Sequence, residues 1–361
     1  MQSNMLPVNF TPGPSQIYFT VEDHLRQAFR EGIPSISHRS KTFEQIYIDC
    51  RERIFELLQV PAGWELLFTS SATEVWERSI QNLVAETSHH FVNGAFSNRY
   101  YEFGGLLGKR ASQTLAIEGS GFEFCKHHID SELIAVTQNE TSTGVSVSNE
   151  WIKELRKHNP DALIIVDGVS ALPHAQPDFS VVDSVFFSVQ KGFGMPAGLG
   201  VWLINEACIR KSEELVSKGI PTGTYHSMSS LISNAKKNQT PSTPNVLAIY
   251  LLSKVAEDFL RRGVETIRRE TNYKSSLLYH TLDQLNNIST FVKQPVDRSQ
   301  TVIVAETGEH TREISDMLRQ NGIIAGDGYG SGKKTQLRFA NFPAHSKEIY
   351  EKLCDLLVRV G

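Results

Sequence analysis

Three separated segments of the sequence carry residue types that together could bind and use an organic phosphate cofactor. Asp167 ends the apolar run ALIIVD, and a carboxylate at the carboxyl end of a parallel strand lies where open α/β sheets place ligands. Lys191 follows a second apolar run and precedes the glycine-rich turn GFGMPAGLG, which leaves room for a bulky group on its amine. Residues 69–73 (TSSAT) are predicted to join a strand to a helix, whose free backbone N–H groups would hold a phosphate.

A phosphate-binding helix start, a lysine and a buried aspartate together predict pyridoxal 5′-phosphate (PLP) as the cofactor. The lysine amine would bond to the cofactor aldehyde, and the aspartate would pair with the protonated ring nitrogen. Each feature alone is weak, because a strand-terminal Asp is often a turn residue, a Lys before Gly is usually solvated, and SSAT is usually only a helix cap. The order and spacing of all three favour the cofactor over these structural alternatives.

The elements that must position these residues follow an α/β pattern of short apolar strands alternating with helices. Several strands lack strict alternation, as expected for strands that are covered on both faces. Helices are predicted at 43–58 and from about 71–73 onward, where apolar residues recur at helical spacing. The predicted strands are 65–69 (ELLFT), 88–92 (SHHFV), 133–137 (LIAVT), 162–167 (ALIIVD), 184–189 (SVFFSV) and 200–204 (GVWLI).

The second part of the chain has a different pattern of predicted helices and strands, which indicates a second domain. After about residue 240, two long helices at 245–262 and 264–285 are separated at Gly263. A smaller α+β unit follows, with strands at 301–306 and 337–342 and helices at 311–320 and up to residue 357. The chain is therefore predicted to form a large domain over 17–262 and a small domain from 1–16 together with 263–361.

Composition excludes several classes of protein. The 361 residues are 40% hydrophobic and 21% charged, which is typical of a globular chain. A net charge of −4 gives no basic field for nucleic acid, and no apolar run approaches 18 residues, so no membrane span is predicted. The four cysteines include no CxxC pair, so neither a disulfide scaffold nor a metal site is expected. The N-terminus has no signal-peptide pattern, and we expect a cytoplasmic enzyme.

Several motifs resemble those of a known enzyme family. VDSVFFSVQK, followed after six residues by GLG, resembles the sequence around the PLP lysine of the class V aminotransferases, and FTPGPS is also similar to that family. The segments ISHRSKTF, QNETSTG, NQTPSTP and LRF are more specifically similar to the phosphoserine aminotransferases, and the resemblance runs from about residue 8 to 358. It implies the α/β fold type I of PLP-dependent transferases, with a mostly parallel sheet flanked by helices in the large domain and a smaller α+β domain.

The resemblance also implies roles for individual residues around the cofactor. Lys191 is expected to attach to PLP and move a proton, and Asp167 is expected to pair with the ring nitrogen. Thr141 is expected beside the ring hydroxyl, and Phe96 is expected in the slot of a stacking aromatic. The residues expected around the phosphate are Ser71, Ala72, Thr73, Ser170, Gln190 and, from the second subunit of a homodimer, Gln239 and Thr240.

The substrates implied by the resemblance are a small amino acid and a 2-oxo acid. Arg338 is expected to bind the α-carboxylate as a planar fork, whereas His38 and Arg39 are expected to bind the distal anion across the dimer interface. Phosphoserine with 2-oxoglutarate, in serine biosynthesis, is the main prediction.

Three observations bear on the alternatives to this prediction. Phe96 is also similar to the alanine–glyoxylate branch, so an alanine–glyoxylate or serine–pyruvate type of aminotransferase is the first alternative. Glu74 stands where the phosphoserine enzymes have Arg, and it would repel a substrate phosphate if it faced the pocket. A catalytically silent binding protein is the second alternative, and the intact Lys191, Asp167 and Arg338 argue against it.

Overall fold

The structure is a computed structural model that describes residues 6–360. The strands are β1 (Val8–Phe10), β2 (Glu65–Thr69), β3 (Thr87–Val92), β4 (Arg110–Leu115), β5 (Leu133–Thr137), β6 (Asn139–Glu140), β7 (Val145–Ser146), β8 (Leu163–Asp167), β9 (Ser184–Ser188), β10 (Gly200–Ile204), β11 (Ser289–Thr290), β12 (Val302–Glu306), β13 (Ile323–Asp327) and β14 (Gln336–Ala340). The α-helices are α1 (Val21–Arg30), α2 (Lys41–Leu58), α3 (Ala72–Leu83), α4 (Ala95–Leu106), α5 (Asn149–His158), α6 (Glu206–Ser217), α7 (Met228–Ala235), α8 (Val246–Arg262), α9 (Val264–Gln284), α10 (Thr311–Gln320) and α11 (Lys347–Val358).

The larger sheet contains seven strands in the order β2-β10-β9-β8-β5-β3-β4. Strand β10 is antiparallel to both of its neighbours, and the pairs from β9 through to β4 are parallel. All residues of β5, β8, β9 and β10 are buried, because helices cover both faces of the sheet, and this explains their continuous apolar sequences. The predicted α/β fold with a mostly parallel sheet is confirmed.

Strand β4 forms one edge of this sheet and was not predicted. Its sequence, RASQTL, is polar, and five of its six residues are exposed. It pairs with β3 through backbone hydrogen bonds, which do not depend on an apolar pattern. The periodicity that identifies buried strands therefore carries no signal for this one.

The smaller sheet contains β1-β13-β14-β12-β11 and packs on α9, α10 and α11. The N-terminal strand β1 lies parallel to β13, so the first described residues join elements from the end of the chain. Strand β13 (IIAGD) was not predicted, since only its first three residues are apolar. The domain boundaries proposed at residues 16/17 and 262/263 remain a prediction.

Two long helices lead from the larger sheet to the smaller one. Helix α8 ends and α9 begins at Gly263, which has φ +85 and therefore suits glycine. Within residues 6–360, no helix combines the length and apolar character that crossing a membrane requires.

Candidate active site

The start of α3 lies beside the end of β9 and is held there by hydrogen bonds. The Ser71 hydroxyl caps the helix by accepting from the Glu74 N–H at 3.2 Å, and the Ala72 N–H donates to the Ser188 hydroxyl at 2.8 Å. A Cβ on Gly200 would lie 2.5 Å from the Ser71 carbonyl carbon, so a glycine lets β10 pass close to this turn. The Thr73 N–H has no intrahelical acceptor at this position and can bind an anion.

Lys191 is buried just beyond the end of β9, and its amine points at a hydroxyl. Its Nζ donates to Thr141 Oγ1 at 2.7 Å and lies 5.2 Å from the centre of the Phe96 ring. Burial lowers the pKa of Lys191 to about 8, and the charge of Arg338 acts in the same direction. An amine with a lowered pKa is neutral in a larger fraction of molecules and reacts more readily with an aldehyde.

The N-terminal segment packs directly on this lysine. Gly13 has φ +144, and a Cβ there would lie 2.9 Å from Lys191 Cε, so the site requires glycine at this position. The Ser15 N–H donates to the Gln190 carbonyl at 3.1 Å. The FTPGPS segment therefore forms one wall around the lysine.

Asp167 ends β8 and is almost completely buried. One carboxylate oxygen accepts from the Val169 N–H at 3.0 Å, and the other accepts from Trp76 Nε1 at 2.9 Å. Burial raises the pKa of Asp167 to about 6, although these two hydrogen bonds and the charge of Lys191 oppose the rise. A cation or protonated nitrogen beside this carboxylate would favour its ionised form.

Arg338 lies on β14 and reaches from the smaller sheet towards Thr141. Its Nη1 donates to the Thr141 carbonyl at 3.1 Å, and its Nε donates to the Asp327 carbonyl at 2.7 Å. The guanidinium also lies 5.5 Å from the centre of the Tyr329 ring, and that ring lies 5.2 Å from Phe96. The guanidinium is thus held in a fixed plane, with N–H groups left over for a carboxylate.

A cavity beside Lys191 brings part of the predicted set together. The predicted residues that line it are Ala72, Thr73, Phe96, Thr141, Asp167, Gln190 and Lys191. Ser71 acts as the cap of α3 and does not line it. Ser170 also stays outside, since its hydroxyl accepts from Asn139 Nδ2 at 2.7 Å and from Thr141 Oγ1 at 3.0 Å. Arg338 does not line the cavity itself but contacts the carbonyl of Thr141, which does.

The remaining predicted residues lie on a different surface of the same chain. Arg39 is exposed, and its Nη1 donates to Gln239 Oε1 at 2.6 Å, while His38 is partly exposed beside it. Thr240 is buried, donates to the Ser242 carbonyl at 2.8 Å and lines a second cavity. None of these four residues lines the cavity around Lys191.

Glu74 does not line the Lys191 cavity either. It accepts hydrogen bonds from the Ser70 N–H and hydroxyl at 2.7 Å, and it lies 2.6 Å from His226 Nδ1. Burial alone would raise the pKa of Glu74, but the hydrogen bonds from His226 and Ser70 outweigh it and lower the pKa to about 2. Glu74 therefore does not face this cavity and would not repel a phosphate bound in it.

Three residues near the cavity were not singled out from the sequence. Trp76 looked like an ordinary core residue of α3, and nothing in the sequence indicated its hydrogen bond to Asp167. Glu140 is fully buried and accepts from the N–H groups of Phe96 at 3.3 Å and Ser97 at 2.9 Å, so it holds the start of α4. Nothing in the sequence indicated the contacts that the Tyr329 ring makes with Phe96 and Arg338.

The residues present fit PLP. The cavity has a lysine amine, a carboxylate at the end of β8 and the Thr73 N–H at the start of α3, and Phe96 lines it as well. These are the groups that would meet, respectively, an aldehyde, a ring nitrogen, a phosphate and an aromatic face.

Comparisons with known proteins identify similar chains. A family model described as aminotransferase class V matches residues 123–340. The phosphoserine aminotransferase of Rhodococcus opacus (strain B4) is 26% identical, over 97% of this chain and 95% of that protein. The solved structure of a phosphoserine aminotransferase from Cytophaga hutchinsonii has a TM-score of 0.96 and 46% identity, covering 98% of each chain. An alanine–glyoxylate aminotransferase from Nostoc sp. shares the fold, with a TM-score of 0.77 and 18% identity over 99% of this chain and 95% of that chain.

Proposed function

The chain belongs to the class V aminotransferase family, and we propose that it transfers the amino group of phosphoserine to 2-oxoglutarate. It is a PLP-dependent aminotransferase that acts on small-molecule substrates. The proposed products are glutamate and phosphohydroxypyruvate, which places the reaction in serine biosynthesis. PLP supplies an electron sink for the carbanion at the substrate Cα.

We assign the chemical steps common to all amino donors to residues of the Lys191 cavity. The Lys191 amine would hold the cofactor and move the Cα proton as general base and acid, because its lowered pKa leaves it partly neutral. The Thr141 hydroxyl, at 2.7 Å from Nζ, would hold the amine in position. Asp167 would keep the ring nitrogen protonated, and the start of α3 with Gln190 would bind the phosphate.

Arg338 is proposed to bind the substrate α-carboxylate. Carbonyl groups hold its Nε and Nη1 in place, so its remaining N–H groups have a fixed direction. A planar fork of this kind matches the two oxygens of a carboxylate. Because every amino donor has this carboxylate, Arg338 contributes to binding without selecting among donors.

The observation that carries the substrate assignment is the exposed guanidinium of Arg39. It lies outside the cavity of its own chain and is joined to Gln239 by a hydrogen bond of 2.6 Å. We propose that this surface completes the cavity of a second subunit in a homodimer, where His38 and Arg39 would bind the distal phosphate. Arg forms charge-assisted hydrogen bonds with a phosphate or a distal carboxylate. Phosphoserine and glutamate carry such a group, whereas alanine and glyoxylate do not.

Two further observations support phosphoserine as the donor. Glu74 is held by hydrogen bonds with Ser70 and His226 and does not line the Lys191 cavity, so its carboxylate does not face a phosphate bound there. The relatives from Rhodococcus opacus and Cytophaga hutchinsonii are named phosphoserine aminotransferases and match nearly the whole chain.

A substrate screen with the holoenzyme tests this proposal. Phosphoserine with 2-oxoglutarate is expected to give the highest kcat/KM, measured as glutamate formation. The comparison pairs are alanine with glyoxylate and serine with pyruvate, for which the 2-oxo acid formed from the amino donor is measured. A preference for any of these pairs would replace the phosphoserine assignment by the alanine–glyoxylate or serine–pyruvate alternative.

Subunit mixing tests the shared sites of the proposed homodimer. Lys191→Ala and Arg39→Ala are each expected to be inactive or weak with phosphoserine. In a mixed dimer, one site would combine the intact Lys191 of one subunit with the intact Arg39 of the other. An equal mixture would then regain about a quarter of the wild-type activity, because half of the dimers are mixed. If each site belonged to one subunit, mixing would regain nothing.

We also propose a cytoplasmic location. All four cysteines are buried and free, which suits a reducing compartment. Cell fractionation with antibody detection would test this, and recovery in a secreted or membrane fraction would contradict it.

A further inference from the structure

The indole of Trp76 contacts the Asp167 carboxylate inside the cofactor cavity. Its Nε1–H donates to Asp167 Oδ2 at 2.9 Å, and the two side chains are 4% and 3% exposed. The other carboxylate oxygen accepts from the Val169 N–H at 3.0 Å. Both oxygens are therefore held, so the plane of the carboxylate is fixed before any cofactor binds.

The indole itself is held in place by aromatic neighbours on α4. It stacks on Tyr100 with ring centres 5.8 Å apart and planes 16° apart, and it meets the Phe103 ring edge-on, also at 5.8 Å. The Tyr100 hydroxyl is 2.6 Å from the Ser79 hydroxyl of α3, which ties the two helices together. Rotation of the indole away from Asp167 would break this packing, so its N–H keeps a constant direction.

Trp76 also connects the two ends of the cavity through one rigid element. Helix α3 begins at Ala72, whose neighbour Thr73 lines the cavity, and Trp76 follows one turn later. The helix start and the indole are therefore held about 6 Å apart along the helix axis. A cofactor whose phosphate binds at the helix start would meet Asp167 in the position that Trp76 sets.

The hydrogen bond matters because the carboxylate is buried. Burial raises the pKa of Asp167 to about 6, which brings its protonation close to neutral pH. A donor that points at the ionised form opposes this effect, since it stabilises the charged carboxylate more than the neutral acid. Without the indole N–H, a smaller fraction of the carboxylate would be ionised and its orientation would be less restricted.

We propose that Trp76 is a positioning residue that keeps the Asp167 carboxylate oriented and ionised for the ring nitrogen of PLP. The inference rests on the proposed pairing of Asp167 with that nitrogen, but it is independent of which amino acid is the donor. The residue acts through Asp167 and takes no direct part in proton transfer.

The test compares two buried tryptophans that lose the same atoms. Trp76→Phe removes the hydrogen bond to the carboxylate, whereas the control Trp202→Phe removes a buried hydrogen bond of 2.8 Å to the neutral Ser184 hydroxyl. PLP is titrated into each apoenzyme, and the ¹⁵N chemical shift of ring-labelled PLP is recorded. Trp76→Phe is expected to raise the PLP Kd about tenfold and to move the shift towards the unprotonated nitrogen, as loss of a hydrogen bond to a charged group would. Trp202→Phe is expected to change neither by more than about twofold.

A double-mutant cycle with Asp167→Asn separates the possible failures. If Trp76 acts through the carboxylate, Trp76→Phe is expected to have little further effect on the PLP Kd in the Asp167→Asn background. An unchanged ¹⁵N shift in Asp167→Asn would overturn the proposed pairing of Asp167. If Asp167→Asn changes the ¹⁵N shift but Trp76→Phe leaves both the shift and the PLP Kd at wild-type values, only the role of Trp76 is overturned.

A second substitution keeps the test valid if Trp76→Phe does not fold. β-(3-Benzothienyl)alanine at position 76 replaces the indole N–H by sulfur at nearly the same volume, so the packing on Tyr100 is retained. The same rise in PLP Kd and the same change in ¹⁵N shift are expected. Wild-type values for both would contradict the inference.

Discussion

The cavity around Lys191 and the surface around Arg39 are built in opposite ways. In the cavity, Lys191 and Asp167 are buried, and each has a hydrogen-bond partner from a distant part of the same chain. On the surface, Arg39 is exposed, and its Nη1 donates to Gln239 Oε1 at 2.6 Å and to Asn234 Oδ1 at 3.5 Å. The first region is organised by one subunit, whereas the second would be completed by another subunit in the proposed dimer.

This difference separates two tasks of the proposed enzyme. The buried groups would act on atoms that every amino donor and the cofactor share, so one rigid arrangement would serve all substrates. The exposed groups would contact only the distal end of a donor, and their side-chain entropy is lost when that donor binds. Substitutions in the cavity should therefore affect all donors, and substitutions on the surface should affect only donors with a distal anion.

The largest effect is expected from Lys191→Ala. The covalent link to the cofactor and the proton transfer disappear together, so kcat/KM should fall at least about a thousandfold for every donor. Activity is measured with phosphoserine and with alanine, and thermal melting confirms that the variant is folded. Lys218→Ala, an exposed lysine paired with Glu214, is the control. Near-normal activity of Lys191→Ala with either donor would contradict the assignment of the cavity.

The next largest effect is expected from Asp167→Asn. The variant should still bind PLP, because the lysine and the helix start remain, but the ring nitrogen loses its charged partner. We expect kcat to fall about a hundredfold or more, as when one preorganised electrostatic contact is removed. A variant that matches wild type in kcat would show that Asp167 does not serve the ring nitrogen.

Arg338→Ala and Arg39→Ala together test the contrast between the regions most directly. Arg338→Ala should lower kcat/KM about a hundredfold for all donors, since the α-carboxylate loses its fork. Arg39→Ala should lower kcat/KM by a similar factor, about 2–4 kcal/mol, for phosphoserine and glutamate, with little change for alanine. Lys41→Ala, two residues away and exposed, controls for loss of surface charge. If Arg39→Ala lowered kcat/KM by the same factor for all donors, Arg39 would not act specifically on donors with a distal anion.

The smallest effect is expected from Glu74→Gln, which should change the stability of the fold. The lowered pKa of Glu74 means that its charged form stabilises the fold above the ordinary carboxyl pKa, and that this contribution is lost as pH falls towards about 2. At pH 7 the variant should lose about 1.5–2 kcal/mol of unfolding free energy, because the buried hydrogen bonds from Ser70 and His226 lose their charged acceptor. The deficit, measured by urea unfolding, should shrink below about pH 4.5.

Glu77→Gln is the matched control for that measurement. Glu77 lies on the same helix and pairs with Arg78 at 2.8 Å, but its side chain is 40% exposed. Its substitution should change the unfolding free energy by less than about 0.5 kcal/mol at every pH. A pH-independent deficit in Glu74→Gln would instead indicate lost packing.

Much of the fold could be predicted from local patterns. The strands at 65–69, 133–137 and 200–204 were predicted with their observed bounds, because strands that are covered on both faces are continuous apolar runs. The polar edge strand β4 and the short strand β1 were missed, since each is defined by the strand it pairs with. The same limit applies to the site, where motifs identified Lys191 and Asp167 but not Trp76.

The sequence by itself therefore determined the alternation of elements, the cap that starts α3, and the residues that we propose to bind PLP. These features depend on neighbours within about one helical turn or one strand. Tertiary structure alone decided that Trp76 donates to Asp167, 91 residues away, that Glu74 meets His226 at a separation of 152, and that Arg39 meets Gln239 at a separation of 200. A hydrogen bond requires distance and direction within narrow limits, and those depend on how α3, the sheet and the surface loops pack, which residue type and spacing do not specify.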